Sequence, residues 1–123
     1  MTVLEPRLAV ELHGHDEAAA RLARIVAGGR IPHGWLFSGP RGIGKATLAW
    51  RFARALLGAR TDGLLRSEPG DRIYRMLASG GHPDLHVLEV EPSRGKRASI
   101  KVDQARDLKE AFGITSGLGG RRV

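Results

Sequence analysis

One stretch constrains this chain more than any other: Gly39-Pro40-Arg41-Gly42-Ile43-Gly44-Lys45-Ala46-Thr47. It follows the short apolar run Trp35-Leu36-Phe37 and opens a helical pattern from Leu48 to Leu57. A strand, a glycine-rich turn and a helix in that order are the layout of a phosphate-binding P-loop. A polyphosphate needs many donors close together and no side chains in the way. Glycines at 39, 42 and 44 let the backbone curl so that successive N–H groups face inward as an anion nest. The helix beginning near Lys45 adds its unpaired N-terminal N–H groups and the positive end of its dipole. Lys45 would reach the outer phosphates as a point charge.

One position departs from the pattern. A Ser or Thr is asked for directly after the lysine, and the chain has Ala46. That hydroxyl normally ligates Mg²⁺, and a methyl group has no lone pair. Thr47 is one residue late, which turns its side chain by roughly 100° around a helix. It is not expected to replace the metal ligand. The bland alternative is a glycine-rich turn with no ligand. On this reading the nucleotide-binding residues are Gly39 to Thr47, the cofactor is ATP, and Mg²⁺ lacks its usual protein ligand.

The chain has 123 residues, enough for one domain but short for a nucleotide-binding α/β fold. With no cysteine, neither a disulfide framework nor a thiolate zinc site can form. No apolar run approaches a membrane span, and Met1 to Arg7 lacks the layout of a signal peptide, so cytoplasmic residence is expected. The net charge of +7 allows phosphate or nucleic-acid partners. The basic residues are spread out, with one cluster from Arg94 to Lys101, and only 5% of residues are aromatic, which gives little for base stacking. A solvated surface explains the arginines as well as a DNA-binding face does.

The remaining pattern predicts a lead-in over residues 1–12 and a helix over 16–27 with Ala19, Leu22, Ala23 and Val26 on one face. Gly28 and Gly29 stop that helix. A helix over 45–57 is expected to bury Leu48, Phe52, Ala55 and Leu56, with Arg51 and Arg54 facing solvent. A short helix is expected over 71–78, a strand over 84–90, and a helix over 104–112 with Asp103 as its N-cap. Arg121-Arg122-Val123 reads as the start of another strand. Two strands cannot bury both faces of a parallel sheet, and an apolar strand ending in an acidic residue is missing. The chain is therefore expected to be the N-terminal portion of a longer protein.

Several segments resemble a known family. Gly14-His15, then Ile31-Pro32-His33-Gly34-Trp35-Leu36-Phe37-Ser38-Gly39-Pro40, is similar to the opening of bacterial clamp-loader subunits. Gly81-His82-Pro83-Asp84-Leu85 and Ile100-Lys101-Val102-Asp103-Gln104-Ala105-Arg106-Asp107-Leu108 resemble the next signatures. In order and spacing, they resemble the delta-prime subunits of the DNA polymerase III clamp loader over most of the chain. The resemblance implies an α/β fold of the P-loop AAA+ type: a parallel sheet with flanking helices, incomplete at the C-terminus. Residues 1–34 would be a lead-in and first helix, and 35–123 the P-loop core. It implies partners too: the other clamp-loader subunits in a hetero-oligomeric ring, with the sliding clamp and primed DNA reached through the complex, and no membrane. In this family the delta-prime P-loop is often degenerate and hydrolysis falls to sibling subunits, which suits Ala46. The chain is thus expected to be non-catalytic alone, an accessory part of a DNA polymerase complex. The gamma/tau siblings usually keep Ser or Thr after the lysine.

Other residues carry weaker signals. His13-Gly14-His15 sits where the family's adenine-side contacts come from, and equally reads as a helix-initiating turn. His82-Pro83-Asp84 is best read structurally, because proline forces an extended residue before it and starts the strand. His86 reads as a packed or edge residue, since no second metal ligand is near it in sequence. Two other functions compete. Nucleoside monophosphate kinases also tolerate a small residue followed by Thr after the lysine, although their arginine-rich lid pattern is missing, and an active AAA+ ATPase is a related alternative. A plain DNA-binding module rests on charge alone.

Overall fold

Periodic apolar positions become helices where a cap stops them. In the computed structural model, which describes residues 5–89, 100, 102–113, 117 and 121–123, these are α1 (Asp16–Gly28), α2 (Lys45–Leu56), α3 (Arg72–Ser79) and α4 (Val102–Phe112). They fall in two compact units, Met1–His82 and Pro83–Val123.

In the first unit α2 packs between α1 and α3. Its core joins Ala19 and Leu22 of α1 to Leu48, Phe52 and Ala55 of α2 and to Leu65. Leu12, Val26, Ile31 and Phe37 pack against that cluster from the side. α1 ends where Gly29 turns left-handed at φ 76°. α3 begins at Asp71, whose carboxylate accepts from the backbone N–H of Ile73 (2.8 Å) and Tyr74 (3.0 Å). It closes in a Schellman turn: the Gly81 N–H donates to Met76 and the Gly80 N–H to Leu77. The loop before α3 is built on Asp62, whose Oδ1 accepts from the N–H groups of Leu64 and Arg66 at 2.8 and 2.9 Å.

The expected parallel sheet does not form among the described residues, which contain no strand. What is missing is a ladder partner. Residues 35–38 form no regular element, although their side chains alternate as those of a strand would. Trp35 and Phe37 meet the Phe52 ring at 5.1 and 6.1 Å, while Leu36 is 88% exposed. A strand exists only through its ladder, however, and among the described residues no backbone hydrogen bond of that kind reaches this segment. Residues 85–89 likewise form no regular element and belong to the second unit. There, Val123 accepts from His86 N–H and donates to the Asp84 carbonyl, both at 2.8 Å, a single parallel rung that falls short of a ladder. Residue 90 of the expected strand lies outside the described residues, as do Arg94, Lys96, Arg97 and Lys101 of the basic cluster.

Within the second unit, Pro83 and Asp84 form a turn rather than a strand start. Buried Asp84 accepts from the Gly117 N–H at 2.7 Å. α4 starts two residues earlier than expected, at Val102, so Asp103 sits in its first turn instead of capping it. There it still favours the positive end of the helix dipole. Phe112 touches the His86 ring at 5.6 Å, and the Arg122 guanidinium lies 5.7 Å from the Phe112 centroid.

A second correction concerns Arg51 and Arg54. They do not face solvent: Arg51 is 4% and Arg54 0% exposed. The lead-in segment runs over α2 and covers them, and burial pushes both guanidinium groups below the ordinary arginine range.

Candidate phosphate-binding site

The loop before α2 has the conformation its glycines permit. Gly39, Gly42 and Gly44 have φ of 154°, 83° and 96°. At Gly44 two constraints coincide. A left-handed φ disfavours any Cβ, and a Cβ built there would lie 2.7 Å from Leu12 Cδ1. Gly44 is also the N-cap of α2, so no side chain caps this helix. The first N–H to bond back is that of Leu48, to the Gly44 carbonyl at 3.0 Å. The N–H groups of Lys45, Ala46 and Thr47 precede it and have no intrahelical acceptor, as at any helix start. Three unpaired donors and the helix dipole therefore converge on one exposed point.

The side chains around the loop are arranged on both of its flanks. Lys45 Nζ donates to the Gly39 carbonyl, which folds the lysine across the turn. His15 Nε2 donates to the Ile43 carbonyl, so its Nε2 carries the proton. Ala46 is exposed and Thr47 half-buried. Among the described residues, no cluster of His, Asp or Glu is arranged to hold a metal ion.

Beside the loop lies a cavity of about 650 Å³, within the roughly 300–1,000 Å³ of small-molecule sites. Of the residues expected from sequence, Ile43, Gly44 and Lys45 line it, while Gly39, Pro40, Arg41, Gly42, Ala46 and Thr47 do not. Gly14 and His15 line it as well, and His13 does not. The sequence reading missed Glu17, Ala18 and Arg21 of α1, which form another wall with Trp35 and Phe37. The spacing 17, 18, 21 marks one helical face adjacent to Leu22, and that signal was present. Arg21 and Lys45 make the cavity positive on two sides, with Glu17 the opposing charge.

These residues fit a polyphosphate: uncapped helix N–H groups, a lysine and an adjoining cavity. They do not fit a protein-ligated Mg²⁺, because position 46 offers only a methyl group.

Comparison with known proteins gives a consistent set of relatives. The family model described as DNA polymerase III, delta subunit matches residues 14–123. DNA polymerase III subunit delta' of Pseudomonas aeruginosa is 41% identical over 99 residues, covering 78% of this chain and 29% of that protein. The Bacillus subtilis protein of the same name is 32% identical over 88 residues, 70% of this chain and 24% of that one. A replication factor C small subunit of Methanocella arvoryzae is 43% identical over 53 residues, 43% of this chain and 16% of its own length. The chain thus spans less than a third of the length of these curated relatives. No solved structure matches it.

Proposed function

Because this chain belongs to the DNA polymerase III delta-subunit family, we propose that it forms part of a delta'-type clamp-loader subunit, one member of a multi-subunit complex. Its partners are the other clamp-loader subunits, and through them the sliding clamp and primed DNA. The loop Gly39–Thr47 holds the phosphates of ATP, with Lys45 and the α2 N–H groups as donors. The single observation that carries the assignment is the family match over residues 14–123, which includes the whole loop.

Within this reading the chain binds nucleotide without turning it over alone. ATP, when bound, supplies a polyanion that ties the loop to the start of α2. Lys45, which now bonds the Gly39 carbonyl, would hold a phosphate oxygen, with His15 holding Ile43 beside it. Trp35 and Phe37 keep the neighbouring cavity wall apolar. No residue at 46 orients a metal ion, so ATP cleavage belongs to other subunits of the complex. The site residues belong to a protein that works in the cytoplasm. Among the described residues no helix is long and apolar enough to cross a membrane.

Size-exclusion chromatography of the full-length protein with the other clamp-loader subunits of its own organism tests the assignment. Co-elution as one hetero-oligomer is expected. Separate elution of every subunit at micromolar concentration would remove the clamp-loader role. Phosphate transfer between nucleotides by the purified protein would instead favour a nucleoside monophosphate kinase.

A further inference from the structure

Four consecutive backbone carbonyls of the lead-in segment accept hydrogen bonds from side chains of α2 and α3. Arg54 donates through Nη1 to Arg7 (3.1 Å) and through Nη2 to Ala9 (3.4 Å). The Tyr74 hydroxyl donates to Leu8 at 2.6 Å, and Arg51 Nη2 donates to Val10. The next residue, Glu11, accepts from Arg66 Nε and Nη2 at 3.2 and 3.1 Å. The same segment then reaches the phosphate loop. Leu12 Cδ1 occupies the space a Cβ on Gly44 would need, and His15 donates to the Ile43 carbonyl.

The segment therefore runs against the direction of α2. It meets Arg54, then Arg51, then the residues at the helix start. Nothing about core packing requires cations here. Both guanidinium groups are buried, their ionic form is disfavoured by desolvation, and the Nε atom of each lacks a hydrogen-bond partner. Among the described residues, no carboxylate pairs with either as a salt bridge. What the two forks do achieve is directional: Arg54 grips two carbonyls of the segment, and Arg51 ties Val10 of the segment to Leu64 (3.2 Å), which fixes where the segment lies along α2. Apolar side chains could bury the same area without fixing that register.

We propose that residues 7–15 are a positioning strap for the phosphate loop. Arg51, Arg54 and Tyr74 fasten its backbone, and Leu12 and His15 at its far end set the conformation of Gly44 and Ile43. The strap makes the loop ready for an anion before one arrives, so that little ordering remains when the ligand binds. Its link to ligand affinity rests on the nucleotide reading given above. Its link to loop conformation does not.

The test uses the full-length protein without nucleotide and reads loop exchange at the Leu48 amide, whose N–H bonds to the Gly44 carbonyl. Leu12→Ala removes the Cδ1 that crowds Gly44 while leaving the arginine bonds in place, and Leu12→Met restores its volume. Arg51→Lys loses the fork that spans the Val10 and Leu64 carbonyls and keeps Leu12. Both Leu12→Ala and Arg51→Lys are expected to speed exchange in the loop by about fivefold or more, with α3 unchanged and Leu12→Met near the parent. A fluorescent ATP analogue should bind the first two variants at least about threefold more weakly. Unchanged loop exchange in a folded Leu12→Ala protein would overturn the proposal. So would a response to Leu12→Ala without one to Arg51→Lys, because the fastening would then play no part. If the parent fails to bind the analogue, the nucleotide reading falls, and the exchange comparison still decides the strap.

Discussion

Arg54→Ala is expected to lower the thermal midpoint by about 10 °C or more, corresponding to roughly 2–4 kcal/mol. Arg54 is fully buried and holds the carbonyls of Arg7 and Ala9. Its guanidinium carbon also lies 5.1 Å from the Tyr74 ring centroid. Alanine removes the donors and leaves two peptide oxygens beneath the lead-in without them, at about 1–3 kcal/mol for each carbonyl left dry. Loss of the buried stem adds a cavity term. Removing a desolvated cation works in the opposite direction, which is why the total stays below the sum of those losses. Arg54→Lys should recover only part of the loss, because one ammonium cannot match a fork across two carbonyls. Thermal unfolding followed by circular dichroism measures both. A surface arginine would change stability by less than about 0.5 kcal/mol, so an unchanged midpoint would contradict the buried placement.

Gly44→Val is expected to abolish binding of a fluorescent ATP analogue, a weakening of about a hundredfold or more, while helical content is kept. Two effects act together. The backbone at φ 96° disfavours a β-branched residue by about 1–2 kcal/mol. The new Cβ would also stand 2.7 Å from Leu12 Cδ1, and Leu12 is packed against the core. The chain relieves both by turning the peptide, which redirects the N–H groups at the start of α2. Gly42→Ala is the internal control. It carries a similar strain at φ 83°, but no atom lies within 4 Å of the added Cβ. Its effect should be distinctly smaller. Equal binding by Gly44→Val and the parent would mean that this loop conformation has no bearing on the ligand.

The helices were legible in the sequence because their signals are local. Leu22 and Val26, or Leu48 and Phe52, repeat at helical spacing. Asp71 and Gly29 sit where caps belong. The glycine turn that leads into α2 was legible for the same reason. Arg51 and Arg54 were not. Two arginines three residues apart look like a solvent face, and the carbonyls that bury them come from residues more than forty positions earlier. No periodicity carries that information. The sheet misled for a related reason. Trp35, Leu36 and Phe37 do alternate as in a strand, yet alternation says nothing about whether a partner backbone lies alongside. The cavity wall on α1 was half legible: the helix was expected, but only its core face was read, and Glu17, Ala18 and Arg21 lie beside it. The loop residues from Gly39 to Thr47 form a turn as expected, and their role as a nucleotide site is a proposal that binding must decide.

The most direct measurement is titration of the full-length protein with a fluorescent ATP analogue, with and without Mg²⁺, against Lys45→Ala and Ala46→Ser. Removing the Lys45 ammonium should weaken binding by at least about tenfold, since it takes away the side-chain cation at the start of α2. The parent should respond little to Mg²⁺, whereas Ala46→Ser should gain affinity when the ion is present. Indifference of the affinity to Lys45→Ala would contradict the account, because the loop would then hold no phosphate.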